Sequence, residues 1–280
     1  MTSDCPLIGR PTKSMATRFS RGPYRLMRCL ETGFVFLENP PSYDEVRDDF
    51  PWEVTADRER TRRTAAEPLI SRLSEATKQA KRRFLPKRNR MHQLAAGVAA
   101  RIDRSRELQL LDVGCGCGGL AIDCCDRFAR VGRRVRPIGV ELSPRLAKNA
   151  ARDFKAWSGE VIAQPALEAV QGLAPASIDV AMMSSFLEHD PRPLELLKAL
   201  RSRLRPEGAA IIKVPNFGSL NRRLRGERWC GFRYPDHVNY FTPATLRRLA
   251  FEAGYQTERG TLLDRNPLSD NMYAVLRPCA

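Results

Sequence analysis

Hydrophobic and polar positions change their spacing along the chain, and each change marks an element. From Leu108 onward, short apolar runs alternate with stretches in which apolar residues recur every three or four positions. QLLDV reads as a strand, Leu120–Val131 as a helix, RPIGVEL as a strand, Pro144–Trp157 as a helix and EVIA as a strand. IDVAMM, a helix over Pro193–Leu204 and the strand AAIIKVP continue the alternation. A helix over Thr242–Glu252 follows, then short strands around Tyr255–Leu263 and Met272–Leu276. Strands joined by helices need crossover connections, which build a parallel sheet whose strand C-termini carry the ligand loops.

Upstream the pattern differs. MHQLAAGVAARI, Met91–Ile102, spaces its apolar residues as an amphipathic helix that leads into the first strand of that sheet. Thr55–Lys87 reads as a charged helix with Leu69, Ile70, Leu73, Ala76 and Ala80 on its apolar side, ended by Pro86. It either covers a pocket or packs as a solvated helix. Pro40–Trp52 is a loop, and Met1–Pro41 is punctuated by proline and glycine, with one strand, GFVFL, at Gly33–Leu37. Three regions are therefore expected: an N-terminal segment over 1–54, a charged helical extension or lid over 55–90, and an α/β domain over 91–280.

The chemistry gathers at LLDVGCGCGG. A strand ends near Asp112, Gly114, Gly116, Gly118 and Gly119 crowd into a turn, and AIDCCDRFARVG resumes as helix. Glycines at that junction let a ligand approach the backbone, with helix N-terminal amides pointing at it. Gly114, Gly116 and Gly119 satisfy the dinucleotide fingerprint, with Glu141 at the distance where an acid meets a ribose. Asp112 favours a different cofactor. A carboxylate there repels a pyrophosphate but suits S-adenosylmethionine, which carries a cationic amino group and a sulfonium.

On these residues the sequence resembles the class I S-adenosylmethionine-dependent methyltransferases. LLDVGCGCG is similar to the family's glycine motif, and Glu141 in IGVELSP matches the acid that ends its second strand. IDVAMMSSFLEHDPRP resembles the fourth strand and its loop, and Leu200–Asn216 resembles the helix, turn and fifth strand. RWCGFRYPDHVNYFTPATLRRLAFEAGY, Arg228–Tyr255, resembles a branch of small-molecule enzymes related to quinone and sugar methyltransferases. The resemblance implies a Rossmann-like, seven-stranded, mostly parallel α/β sheet with helices on both faces, plus the N-terminal helical extension. It implies an enzyme that moves a methyl group from S-adenosyl-L-methionine to an O, N or C atom of a small molecule.

It also implies roles. Gly114, Cys115, Gly116 and Gly118 admit the methionine part of the cofactor, and Asp112 holds its ammonium or orders the loop. Glu141 meets the ribose hydroxyls, with Leu142 beside it. Gln164 and Ala166 stand where the family meets the adenine, although the acid often found there is missing. Ser185, after the fourth strand, completes the cofactor set. His189 and His237 are the candidate bases, with Tyr240 beside the second, and Glu188 either orients His189 or caps a loop. Some relatives carry an N-terminal zinc knob of paired CPxCG and CxxCG half-sites. Here Ile8 and Thr32 replace the second cysteines, leaving Cys5 and Cys29, too few for a tetrahedral site. No metal is expected.

Composition narrows the remaining classes. A hydrophobic content of 42% suits a globular protein, and no uncharged apolar run reaches the roughly 18 residues of a membrane span. Eight cysteines, two inside the glycine loop, do not make a disulfide scaffold and point to a reduced, cytoplasmic setting. The net charge of +15 admits an anionic partner, but the charges are dispersed, with Thr77–Arg90 the densest cluster. Trp229, Phe232, Tyr234, Tyr240 and Phe241, interleaved with Arg222, Arg223, Arg225, Arg228 and Arg233, read as a lid over a planar or anionic substrate. The alternatives are a non-catalytic cofactor-binding or scaffold protein, a nucleic-acid methyltransferase, and a nicotinamide dehydrogenase disfavoured by Asp112.

Overall fold

The computed structural model describes residues 2–43, 45, 61, 89–258, 260–261, 264 and 266–279. Apart from Thr61, the helix expected over Thr55–Lys87 lies outside the described residues, as do most of the Thr77–Arg90 charge cluster and of the 55–90 region.

Twelve strands form two sheets among the described residues. The larger is built from β5 (Leu108–Val113), β6 (Val135–Val140), β7 (Glu160–Ile162), β8 (Ile178–Ser184), β9 (Leu204–Pro215), β11 (Tyr255–Thr257) and β12 (Asn271–Pro278). Its order is β11-β12-β9-β8-β5-β6-β7. The run from β9 to β7 is parallel, and β12 inserts antiparallel beside β9, with β11 antiparallel to β12. Strands covered on both faces read as continuous apolar runs, which is why LQLLDV and IDVAMMS show no alternation.

Among the described residues the α-helices with both ends in view are α1 (Arg90–Ala99), α2 (Gly119–Arg130), α3 (Pro144–Phe154), α4 (Ala166–Gly172), α5 (Pro193–Arg203), α6 (Leu220–Arg225) and α7 (Pro243–Glu252). Their starts are chemically marked. Ser143 accepts the Leu146 amide and Pro144 opens α3; Thr242 forms a capping box with Thr245 and Pro243 opens α7. α4 and α6 carry too short an apolar pattern to stand out in sequence. β9 starts at Leu204, earlier than AAIIKVP suggests. A bulge absorbs the Pro206–Gly208 turn while Leu204 pairs with Ile178 and Ala209 with Val180.

The smaller sheet is legible in sequence only at GFVFL. β1 (Thr2–Cys5), β2 (Arg10–Ala16), β3 (Leu26–Cys29) and β4 (Val35–Leu37) form an antiparallel meander, completed by β10 (Asn239–Tyr240) from far along the chain. It shares a core with the larger sheet: Leu7, Met27, Phe34 and Phe36 pack in the cluster that holds Leu194, Leu197 and Phe241. Cys5 and Cys29 meet at its corner with Thr32 and Thr12. The Cys5 thiol lies 3.8 Å from the Thr32 hydroxyl, and the Cys29 thiol 3.3 Å from that of Thr12. No described helix is long and apolar enough to cross a membrane.

Candidate active site

The order of the larger sheet reverses at β5, whose neighbours β6 and β8 lead to opposite edges. At such a switch point the loops beyond the strand C-termini part and leave a crevice. The glycine loop occupies it. Gly114 and Gly118 adopt φ of +71° and +82°, a left-handed backbone that side chains resist. A Cβ on Gly114 would stand 2.3 Å from the Phe186 ring, and one on Gly118 would stand 2.6 Å from that of Phe154. Gly116 faces open space on that side.

Glu141 ties this loop to the end of β6. One carboxylate oxygen accepts the Gly116 amide at 2.9 Å, and the other accepts the Ser143 amide at 2.9 Å. A carboxylate oxygen can accept more than one donor, and two such oxygens side by side match the spacing of vicinal hydroxyls. Asp112 is 2% exposed, and its Oδ2 makes no hydrogen bond among the described residues. Burial pushes its carboxyl up to about 7, and the nearby Glu141 charge adds to the shift. An unpaired buried carboxylate beside an open glycine loop suits a cationic ligand and disfavours a pyrophosphate. The donor set thus fits S-adenosylmethionine.

Cys115 is buried behind the loop, whereas Cys117 is exposed. Leu142 is half-buried, Gln164 is exposed after β7, and Ala166 is buried in the first turn of α4. Ser185 is exposed after β8 with φ of +57°, a strained backbone for a side-chain-bearing residue.

The loop after β8 brings the histidines together. The Glu188 carbonyl accepts the amides of Val238 and Asn239 at 2.8 and 3.0 Å, while Asn239 Nδ2 donates to the Leu187 and Asp190 carbonyls. His189 and His237, far apart in the sequence, consequently meet edge to face, with ring centroids 4.7 Å apart. His189 Nδ1 donates to the Asp236 carbonyl and His237 Nδ1 to the Gly231 carbonyl, each at 2.8 Å. A carbonyl only accepts, so Nδ1 carries a proton in both rings, and in the neutral imidazole Nε2 carries the lone pair. Burial lowers His189 to about 4, with the Arg233 charge adding to the effect, which keeps that ring neutral. Glu188 is 4.0 Å from His189 Nε2 and is not hydrogen-bonded to it.

Tyr240 is 3% exposed, within a cluster of Leu26, Val35, Phe217, Trp229 and Phe232. The aromatic lid takes a different form from the one expected. Trp229, Phe232, Tyr240 and Phe241 are buried, because β10 and the N-terminal strands supply apolar surface for the rings. Sequence reading also missed two parts of the site. Phe186 lies against the glycine loop, and Tyr43 donates to Asp190 at 3.2 Å with Arg192 over its ring. A cavity of about 410 Å³ opens elsewhere, between α1 and α2, and among the described residues no member of the glycine loop lines it.

A parallel sheet with a glycine loop, an acid at the end of the next strand and an unpaired buried carboxylate defines a Rossmann-like methyltransferase of class I. A family model described as a methyltransferase domain matches residues 58–259, and the chain belongs to that family. It is similar to the ubiquinone biosynthesis O-methyltransferase of Thiobacillus denitrificans, 32% identical over 174 residues, covering 58% of this chain and 70% of the relative. The protein of the same name from Cupriavidus pinatubonensis is 29% identical over 183 residues, covering 60% and 68%. In fold the chain resembles the trans-methyltransferase CalH, solved in complex with SAH, with a TM-score of 0.50 at 20% identity over 62% of this chain and 52% of that one. The protein is an S-adenosylmethionine-dependent enzyme of small-molecule methyl transfer.

Proposed function

We propose that the acceptor is a hydroxylated, planar small molecule methylated on oxygen in the cytoplasm. The observation that carries this reading is the pairing of His189 and His237 beyond β8, each ring donating Nδ1–H to a backbone carbonyl so that its lone pair sits on Nε2. The O-methyltransferase names of the two relatives support it. S-adenosylmethionine supplies an electrophilic methyl group when bound.

The chain's own residues do the rest. Asp112 offers its carboxylate to the cofactor's ammonium, and the backbone of Gly114, Cys115, Gly116 and Gly118 borders its methionine part, with open space at Gly116. Glu141 accepts from the ribose hydroxyls, while Leu142, Gln164 and Ala166 border the adenine and Ser185 closes the side toward the acceptor. His189 and His237 assist loss of the acceptor's hydroxyl proton. Tyr240 supports His237 from the aromatic cluster. Positioning supplies much of the rate, and proton removal matters because an oxygen nucleophile must shed its proton.

The test is calorimetry with S-adenosylmethionine, S-adenosylhomocysteine and NAD, followed by a screen of phenolic, amine and carbon acceptors. Binding of both adenosyl ligands, silence with NAD and product only from hydroxylated rings are expected. Product from amines alone would overturn the oxygen assignment.

A further inference from the structure

We propose that the cavity of about 410 Å³ between α1 and α2 is a binding site for a small organic oxyanion, a carboxylate or phosphate ester that carries an apolar body. Among the described residues no member of the glycine loop lines this cavity, and neither do His189 and His237. The site therefore goes beyond the proposed function and does not rest on it.

The lining sets the charge of the ligand. Arg104, Arg127, Arg133 and His92 contribute to the wall, and among the described residues no aspartate or glutamate does. Arg133 carries the argument. It is 4% exposed, and none of its guanidinium nitrogens makes a hydrogen bond among the described residues. An ionised group buried without a partner costs free energy, and arginine cannot escape that cost by losing its proton. Asp179 and Asp103 act on Arg133 through space, and both are already engaged. Asp179 is bridged by Arg106 at 2.6 Å and lies 3.4 Å from Arg205, while Asp103 accepts the Ser105 hydroxyl and amide at 2.6 and 2.9 Å. Arg104 and Arg106 add further positive charge to the same corner. Buried charge is poorly screened, so it attracts an anion in the cavity more strongly than an exposed arginine would.

The rest of the lining sets the shape of the ligand. Ala96, Phe128 and Val131 give an apolar wall, and Val131 is 60% exposed. Arg127 and Arg104 are both exposed, and Arg104 is tethered to the Val131 carbonyl at 2.6 Å. They offer guanidinium forks on the solvent side, a geometry that matches the oxygens of a carboxylate or phosphate. An apolar wall beside such donors suits an anion with a hydrocarbon body better than a bare inorganic ion.

The experiment is titration of the full-length protein with sodium octanoate and octyl phosphate, against octanol, octylamine and inorganic phosphate, read by calorimetry and by the histidine ring resonances. The chain has three histidines, of which His92 alone lines the cavity. Both amphipathic anions should bind at one site per chain and shift the His92 signal, assigned through His92→Gln, while those of His189 and His237 stay in place. Octanol, octylamine and inorganic phosphate should each bind at least roughly tenfold more weakly, since each lacks the charge or the apolar body. Arg133→Gln should weaken octanoate binding at least roughly tenfold. Ala96→Phe, at an exposed position of α1, should do the same by filling the cavity with the charge intact, and it decides the matter if Arg133→Gln fails to fold. Silence with both anions, equal binding of octanol, shifts at His189 or His237 in place of His92, or binding that survives both substitutions overturns the site. Sedimentation with phosphatidylglycerol vesicles should be the same for the parent and Arg133→Gln; a drop on substitution would assign the cavity to a lipid headgroup and overturn the free anion as its ligand.

Discussion

Glu141 holds the loop, and in the proposed function it also meets the ligand. Its oxygens hold the Gly116 and Ser143 amides, so Glu141→Ala leaves two backbone donors unpaired as well as removing the proposed ribose partner. We expect a stability loss of about 1–3 kcal/mol in urea unfolding and at least a roughly tenfold loss in calorimetric S-adenosylmethionine affinity, about 1.4 kcal/mol. An unchanged affinity would place the ribose elsewhere. Asp112 makes a prediction about pH. Its folded pKa of about 7 lies above that of an unfolded aspartate, so between about pH 4 and 7 the native state holds the extra proton and stability falls as pH rises. Glu188, pushed up to about 8, acts with the same sign, whereas His189, lowered to about 4, acts with the opposite sign below about pH 6.5. The clean measurement is therefore a difference. Asp112→Asn should gain stability relative to the parent as pH rises from about 5 to about 8 without ligand. The parent's affinity for the cationic cofactor should rise over the same window. A flat difference would show that the carboxyl titrates normally. Asp112 and Glu141 were legible in sequence because their neighbours in the chain define their setting. Phe186 and the Tyr43–Asp190 contact were not, because only the fold brings each to its partner.

At the scale of elements, the strand-turn-helix unit from β5 to α2 depends on glycines that the fold leaves no room to replace. Gly114→Ala adds a Cβ against Phe186 at a left-handed φ, the backbone alone costing about 1–2 kcal/mol and the overlap adding to it. Phe186→Ala in the same chain should recover the steric part and leave the backbone part, which a double-mutant cycle in urea would separate. The segment between β9 and β10 is fixed by another acid. Asp270 accepts from Ser219 at 3.1 Å and Trp229 Nε1 at 2.7 Å, and from the Asn221 side-chain amide. Asp270→Ala should cost about 2–3 kcal/mol and shift Trp229 fluorescence; an unshifted spectrum would show that the segment is held otherwise. Long helices and buried strands were readable because periodicity accumulates over their length. α4, α6 and the two residues of β10 were not, since so few positions carry no period of their own.

For the whole molecule, the N-terminal sheet holds β10 and the chain around it in place. β4 bonds to β10, Leu37 donates to the Val238 carbonyl, and Phe34 packs 5.1 Å from Phe241. A chain lacking residues 1–41 should expose Phe241 and lose order from Asn216 to Tyr240. Limited proteolysis would detect this as new cleavage there, and a cleavage pattern unchanged from the full chain would show that the sheet is dispensable. The alternation of strands and helices, the glycine loop and its two acids were determined by the sequence alone, because each depends on neighbours within about thirty residues. The tertiary structure decided the rest. It made the aromatic residues around β10 a core, by covering them with strands from the other end of the chain. It also set His189 beside His237 and left Glu188 between them without a hydrogen bond among the described residues. Contacts between distant segments carry no local signature; packing of the two sheets on one core produces them, and no stretch of sequence contains that information by itself.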